Sequence, residues 1–274
     1  MKLLFTLSVV LLGSFTISFA QMKEGKIVFE RVINMRRNIT DPEMRARIPE
    51  SRTDKFQLLF NEQSSLFKSI IEEEAPDPFA NNGGDRGGPR MMFRMPSTTT
   101  FTDLKTQMQY EARSFFEKDF LVVDSVRQIK WKISEETKMI AKHLCKKATT
   151  TSAGQMMRMS FGGPPPGSPR RDTTQARVDN KPREIEVVVW YAEDIPVSVG
   201  PESFSGLPGA ILEVNSDNGA SITTAVEISG KYAKKELIKP TVGEVMTRAQ
   251  FTDNMRKIME DMQRNGPIRI NVGN

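Results

Sequence analysis

Cysteine and histidine are almost missing from this chain of 274 residues, which holds one of each, Cys145 and His143. A single cysteine excludes a disulfide framework, and a single histidine excludes zinc sites built from several imidazoles. No glycine-rich phosphate loop follows a strand and opens a helix. Runs apolar enough to span a bilayer are also lacking, since the longest, Leu3 to Phe19, is broken by Ser8, Gly13 and Ser14. What remains is a chain with 38 % hydrophobic and 27 % charged residues, 18 Gly and 16 Pro. That composition can bury a core while carrying long loops outside it.

The first 20 residues have the layout of a secretory leader. Lys2 precedes the apolar stretch, and Ser18-Phe19-Ala20 before Gln21 is a small-x-small cleavage site. The expectation is cleavage after Ala20 and a periplasmic or secreted product with no transmembrane segment. A lipid-anchored form would need a cysteine at the cleavage point, and the only one is Cys145. Residues 21–274 are then expected to form a single domain.

The formal net charge is +5, which invites a nucleic-acid reading. Its distribution argues against one. Between Thr149 and Arg183 stand Arg158, Arg170, Arg171, Arg177, Lys181 and Arg183 against only Asp172 and Asp179. A nucleic-acid module carries its basic face on a folded element interleaved with stacking aromatics. Here the excess surrounds Gly162-Gly163-Pro164-Pro165-Pro166-Gly167, a composition that forms no packed element. A solvated loop is the simpler interpretation, and loose attraction to acidic headgroups or polysaccharide is the alternative.

Two flexible insertions are expected, at about 75–97 and 149–183. The first contains Asn81-Asn82-Gly83-Gly84-Asp85-Arg86-Gly87-Gly88-Pro89. Around them, short apolar runs alternate with polar clusters. Strands are predicted at Lys26–Ile33, Phe56–Phe60, Leu66–Ile71, Thr98–Tyr110, Ala112–Phe116, Phe120–Val126, Ile129–Ser134, Met139–Ala148, Glu184–Tyr191, Ala210–Asn215 and Ser221–Ser229. Strand and turn signals every 8 to 12 residues or so argue for an antiparallel sheet and not for βαβ units. From Val242 to Gln263 the apolar residues Val245, Met246, Met255, Ile258, Met259 and Met262 recur at helical steps, and Gly266-Pro267 is a stop signal. Such a stripe faces a core, so the helix is expected against the sheet or plugging its open face.

The most distinctive segment is Phe204-Ser205-Gly206-Leu207-Pro208-Gly209-Ala210-Ile211-Leu212-Glu213-Val214, preceded by Trp190-Tyr191, Asp194-Ile195-Pro196 and Gly200-Pro201. Leu207-Pro208-Gly209-Ala210 reads as a type II turn with positive φ at Gly209, while Gly206 allows close backbone approach before it. Ile195-Pro196 and Gly200-Pro201 set further bends, with either proline open to the cis form. Gly206, Leu207, Pro208 and Gly209 are thus assigned a structural role. Together with Phe120-Leu121-Val122-Val123-Asp124, Trp131-Lys132-Ile133, Thr137-Lys138-Met139-Ile140, Cys145-Lys146-Lys147-Ala148 and Ser65-Leu66-Phe67, this segment resembles the GLPGLI family, secreted proteins of Gram-negative bacteria. Ala210 stands where the name-giving motif has leucine, and His143 where an aromatic is commoner. The resemblance implies a one-domain exported β-protein without established activity, similar in shape to the half-barrel lipoprotein carriers of the periplasm; that likeness is one of fold only.

Candidate chemistry is sparse. His143 and Cys145 are i, i+2 on a predicted strand, which puts them on one face with Cα atoms about 6.7 Å apart and side chains parallel. That geometry suits a core-facing pair better than proton transfer, and a cysteine-dependent enzyme is the weaker alternative. Glu72, Glu73 and Glu74 form a solvated charge run. Met91, Met92 and Met95 follow the first insertion's Gly/Pro segment, and Met156, Met157 and Met159 lie within the second. Thioethers favour Cu(I), so these six are the candidate metal ligands, against the simpler view of gap-filling or adhesive side chains. The expected fold is mainly β: one strongly curved, half-barrel-like antiparallel sheet with a C-terminal helix and two long disordered loops. The expected function is non-enzymatic binding of an envelope protein or apolar ligand through the sheet, without nucleic acid.

Overall fold

The computed structural model describes residues 21–37, 39, 42–70, 98–115, 118–154 and 183–265. The expected leader, the loop at 75–97, most of the second insertion and all six candidate methionine ligands lie outside these residues. The mainly β expectation holds. Eleven strands run antiparallel: β1 (Gly25–Asn34), β2 (Ser51–Phe60), β3 (Ser64–Ser69), β4 (Thr98–Asp103), β5 (Met108–Phe115), β6 (Lys118–Ser125), β7 (Lys132–Ile140), β8 (His143–Gly154), β9 (Arg183–Ala192), β10 (Ala210–Ser216) and β11 (Ser221–Ser229). A three-residue β12 (Glu244–Met246) adds parallel to β6 at one edge, so the sheet is mixed. The spatial order is β12-β6-β5-β4-β3-β2-β1-β11-β10-β9-β8-β7, an open sheet that does not close. A short helix α1 (Pro42–Arg47) sits between β1 and β2, and α2 (Arg248–Asn265) follows β12. Among the described residues no helix is long and apolar enough to cross a membrane.

Alternation explains the strands. In β1, Ile27 and Phe29 are fully buried, and register sets them beside Leu58 and Phe56 of β2, with Phe67 of β3 next in line. Phe29 meets Phe67 edge-on and Phe56 stacks on it. The connection from β9 to β10 folds back onto this cluster, where Ile195, Val197 and Val199 are buried. On the opposite side of β2 to β5, Leu59, Leu66 and Phe101 form a second cluster, closed by Tyr232 and Leu237 from the segment after β11.

Several sequence expectations are corrected here. Thr98–Tyr110 is a strand and a turn, with Asp103 Oδ1 accepting the backbone N–H groups of Lys105 and Thr106. Met139–Ala148 contains a hairpin, because Ala141 and Lys142 both take positive φ, 45° and 72°. The strand β8 runs to Gly154, past the expected loop boundary at 149, since Thr149, Thr150 and Thr151 are β-branched residues that pack well in a sheet. The C-terminal helix begins at Arg248 and not at Val242. It rests on the β6 edge, Phe251 edge-on to Phe120 and Met255 buried, and does not plug an open face. No peptide bond is cis among the described residues.

Candidate functional site

The β7 end of the sheet curls inward. Lys138 on the edge strand reaches across β8 and β9 to Glu213 on β10, its Nζ 2.9 and 2.8 Å from the two carboxylate oxygens. Thr224 Oγ1 of β11 donates to the same carboxylate at 3.3 Å, and the Lys138 ammonium lies 5.6 Å from the Trp190 ring centre. Glu213 is buried. A carboxylate removed from water requires such partners, and here β7 and β11 contribute them.

Cys145 lies directly opposite Lys138 in the β7–β8 ladder. Its side chain is fully buried, and Sγ points at the carbonyl oxygen of His143, 3.6 Å away. Burial pushes the thiol up to about 12, reinforced by the negative charges of Asp194 and Glu213. His143 Nδ1 lies 2.7 Å from Asp194 Oδ2. Asp194 belongs to the β9–β10 connection, so this contact ties the hairpin tip to the segment carrying the sequence motif. Beside it Lys146 pairs with Glu193 at 3.0 Å.

A cysteine hydrolase needs a thiolate in reach of an imidazole held by a third group. The imidazole and the carboxylate are present. The thiol, however, is kept protonated and shut from solvent, and its hydrogen bond goes to a backbone carbonyl. Of the pair expected to face the core, Cys145 is buried, whereas His143 is half-buried and paired with Asp194. Asp194 and Glu213 escaped the sequence as partners because they stand 51 and 75 residues from His143 and Lys138, and no local spacing encodes such contacts.

The motif itself is a strap for the sheet. Leu207 is buried with Val187, Val189, Tyr191, Ile211 and Val214, and Trp131 and Phe204 pack around it. Trp131 Nε1 donates to the Ser205 carbonyl at 2.8 Å, and the Gly206 N–H donates to Ser198 Oγ at 2.8 Å. The predicted roles of the two glycines are exchanged. Gly206 has the positive φ, 91°, whereas Gly209 does not. A Cβ on Gly209 would lie 2.1 Å from the Ala192 carbonyl oxygen, so close backbone approach is what requires glycine there. The type II turn at 207–210 is therefore replaced by a bend pressed against the end of β9. Pro208 lies in that bend, between the buried Leu207 and the crowded Gly209.

None of the six methionines can be placed relative to this site, as they lie outside the described residues. Among the described residues no group of three or more His, Cys, Asp or Glu side chains is arranged to hold a metal.

A family model described as "Protein of unknown function (Porph_ging)" matches residues 131–213, from Trp131 through the motif to Glu213. No curated protein matches the chain. Among solved structures, PNGF-II in the C2 space group is similar at 14 % identity and a TM-score of 0.50, over 85 % of this chain and 33 % of that one. PNGF-II in the P21 space group is similar at 14 % identity and a TM-score of 0.48, over 86 % of this chain and 33 % of that one. This chain thus spans about a third of the PNGF-II chain, and the likeness is one of fold.

Proposed function

We propose that this is an exported envelope protein, cleaved after Ala20, whose GLPGLI-type β domain binds a partner and catalyses no reaction. The observation that carries this reading is the edge strand β7, which pairs only with β8 among the described residues, beside an apolar pair. Met139 and Leu144 are cross-strand neighbours at the hairpin tip, each 60 % exposed. An unpaired edge offers backbone donors and acceptors to an extended segment, and flanking apolar side chains add affinity. The protonated, buried state of the Cys145 thiol supports the non-enzymatic half of the reading. The family model supports the assignment to a domain class, because the residues it matches contain the motif, the hairpin and the curl. The Cu(I) reading draws no support from the described residues.

The test is a photoreactive residue placed at Met139 in the native envelope. The expected result is one predominant adduct, lost when Thr137→Pro removes an edge N–H while thermal unfolding stays unchanged. Absence of any adduct, or turnover of an envelope substrate that Cys145→Ser abolishes in a folded protein, would overturn the proposal.

A further inference from the structure

After β11 the chain crosses the sheet as a strap, residues 230–246, whose end re-enters the sheet as β12. Its course is fixed at successive strands. Lys234 pairs with Glu24 just ahead of β1, and Glu236 with Lys68 of β3. Tyr232 and Leu237 pack against Leu59, Leu66 and Phe101. The Lys239 ammonium lies 4.5 Å from the centre of the Tyr110 ring on β5. Gly243, at φ 117°, passes so close to β6 that a Cβ would meet the Phe120 carbonyl carbon at 2.8 Å. The strap is thus a fitted layer of the fold and not a loose loop.

Leu237 is turned inward, and the exposed residues of this strap have an unusual composition. Ile238, Val242 and Val245 are 67 %, 70 % and 68 % exposed, three aliphatics within eight residues at the most exposed level in the described structure. Four lysines, Lys231, Lys234, Lys235 and Lys239, stand on the same strap, and all four are exposed. Its two acids are Glu236 and Glu244, and Glu236 is engaged by Lys68. Lys231 and Lys235 have no ion-pair partner among the described residues. Aliphatics that water penalises, framed by cations held on a rigid layer, form the pattern that settles at an anionic lipid interface. There the apolar tips enter the acyl boundary, and Lys231 and Lys235, which no carboxylate among the described residues engages, meet headgroup phosphate.

We propose that the 230–246 strap is a docking surface for an anionic lipid bilayer. This inference is independent of the β7 edge and of partner binding there. The apolar tips are too few to hold the protein on a neutral membrane, so attachment is reversible and depends on charge.

The experiment uses the full chain carrying Val242→Cys, labelled at that thiol with an environment-sensitive fluorophore; Cys145 is buried and stays unlabelled. Vesicles are pure phosphatidylcholine, or equal parts phosphatidylcholine and phosphatidylglycerol. A parallel label at Asn218→Cys, in the β10–β11 turn, reports any attachment through other parts of the chain. The expected result is a blue shift at position 242 on the anionic vesicles only, with none at 218. High salt should reverse it, and Lys231→Glu with Lys235→Glu should weaken it by about tenfold or more. Ile238→Ser with Val245→Ser should also reduce the shift. No shift at 242, an equal shift on phosphatidylcholine alone, an equal shift at 218, or indifference to the lysine reversals would each overturn the proposal.

Discussion

Gly206 and Gly209 stand three residues apart, and glycine is needed at each for a different reason. At 206 the backbone is left-handed, and an added Cβ would meet nothing nearer than Trp131 Nε1 at 3.6 Å. At 209 φ is not positive, but the Ala192 backbone occupies the space of a side chain. Overlap with backbone relaxes poorly, whereas φ strain alone is modest. Gly209→Ala is therefore expected to cost more than about 2 kcal/mol and Gly206→Ala about 1 kcal/mol, read by denaturant unfolding. Equal costs at the two sites would show that the steric account is wrong. The motif pointed to glycine at both positions, but which constraint acts at which glycine depends on Ala192, a contact no local pattern reveals.

Helix α2 shows how an element is set by contacts at both levels. Thr247 and Gln250 form a capping box: the Gln250 N–H donates to Thr247 Oγ1 at 3.3 Å, and the Thr247 N–H donates to Gln250 Oε1 at 2.8 Å. The expected start at Val242 rests on apolar periodicity through Gln263 and passes over this T-x-x-Q pattern, so it begins the helix too early. Not legible was Asp124 of β6, whose carboxylate accepts the Arg248 N–H at 3.2 Å and so ties the helix start to the sheet. The N–H groups of Ser125 and Arg248 hold the Asp124 carboxyl below its ordinary value. Its folded-state pKa is thus lower than the value of about 3.9 in an unfolded chain. The stabilisation is complete above that value and is lost as pH falls through the depressed one. Asp124→Asn should accordingly flatten the loss of thermal stability below about pH 4, followed by circular dichroism. An acid limb identical to that of the parent would mean that the contact contributes nothing. The β7–β8 turn is the opposite case, because Ala141-Lys142 carries none of the Asn or Gly residues that announce a two-residue hairpin.

At the scale of the whole molecule, the curl of the open sheet depends on a few side chains that cross it. Lys138 and Glu213 join the edge strand β7 to β10, and β7 also meets β11. Cys145, the chain's only cysteine, lies directly beneath this contact and serves as a natural probe. In the parent protein its alkylation at pH 8 should be slow, since a thiol pushed up to about 12 yields little thiolate and is buried besides. Lys138→Met leaves the Glu213 carboxylate with Thr224 alone and should loosen the curl, raising the alkylation rate by about tenfold or more. An unchanged rate would show that apolar packing holds the curl by itself.

Most strand positions, the antiparallel preference and the inward-facing cysteine are local properties. They follow from alternation, from turn residues such as Asn61, and from the tendency of a lone thiol to pack as a small hydrophobe. These could be read from the order of residues. The tertiary structure alone decided that β12 pairs parallel with β6 and that Asp194 faces His143. It alone also placed Gly209 against Ala192 and carried an exposed apolar strap across one face of the sheet. Each of those arrangements joins residues distant along the chain, and such pairings arise from how the twisted sheet curls and what its long connections cover, which no short window of sequence encodes.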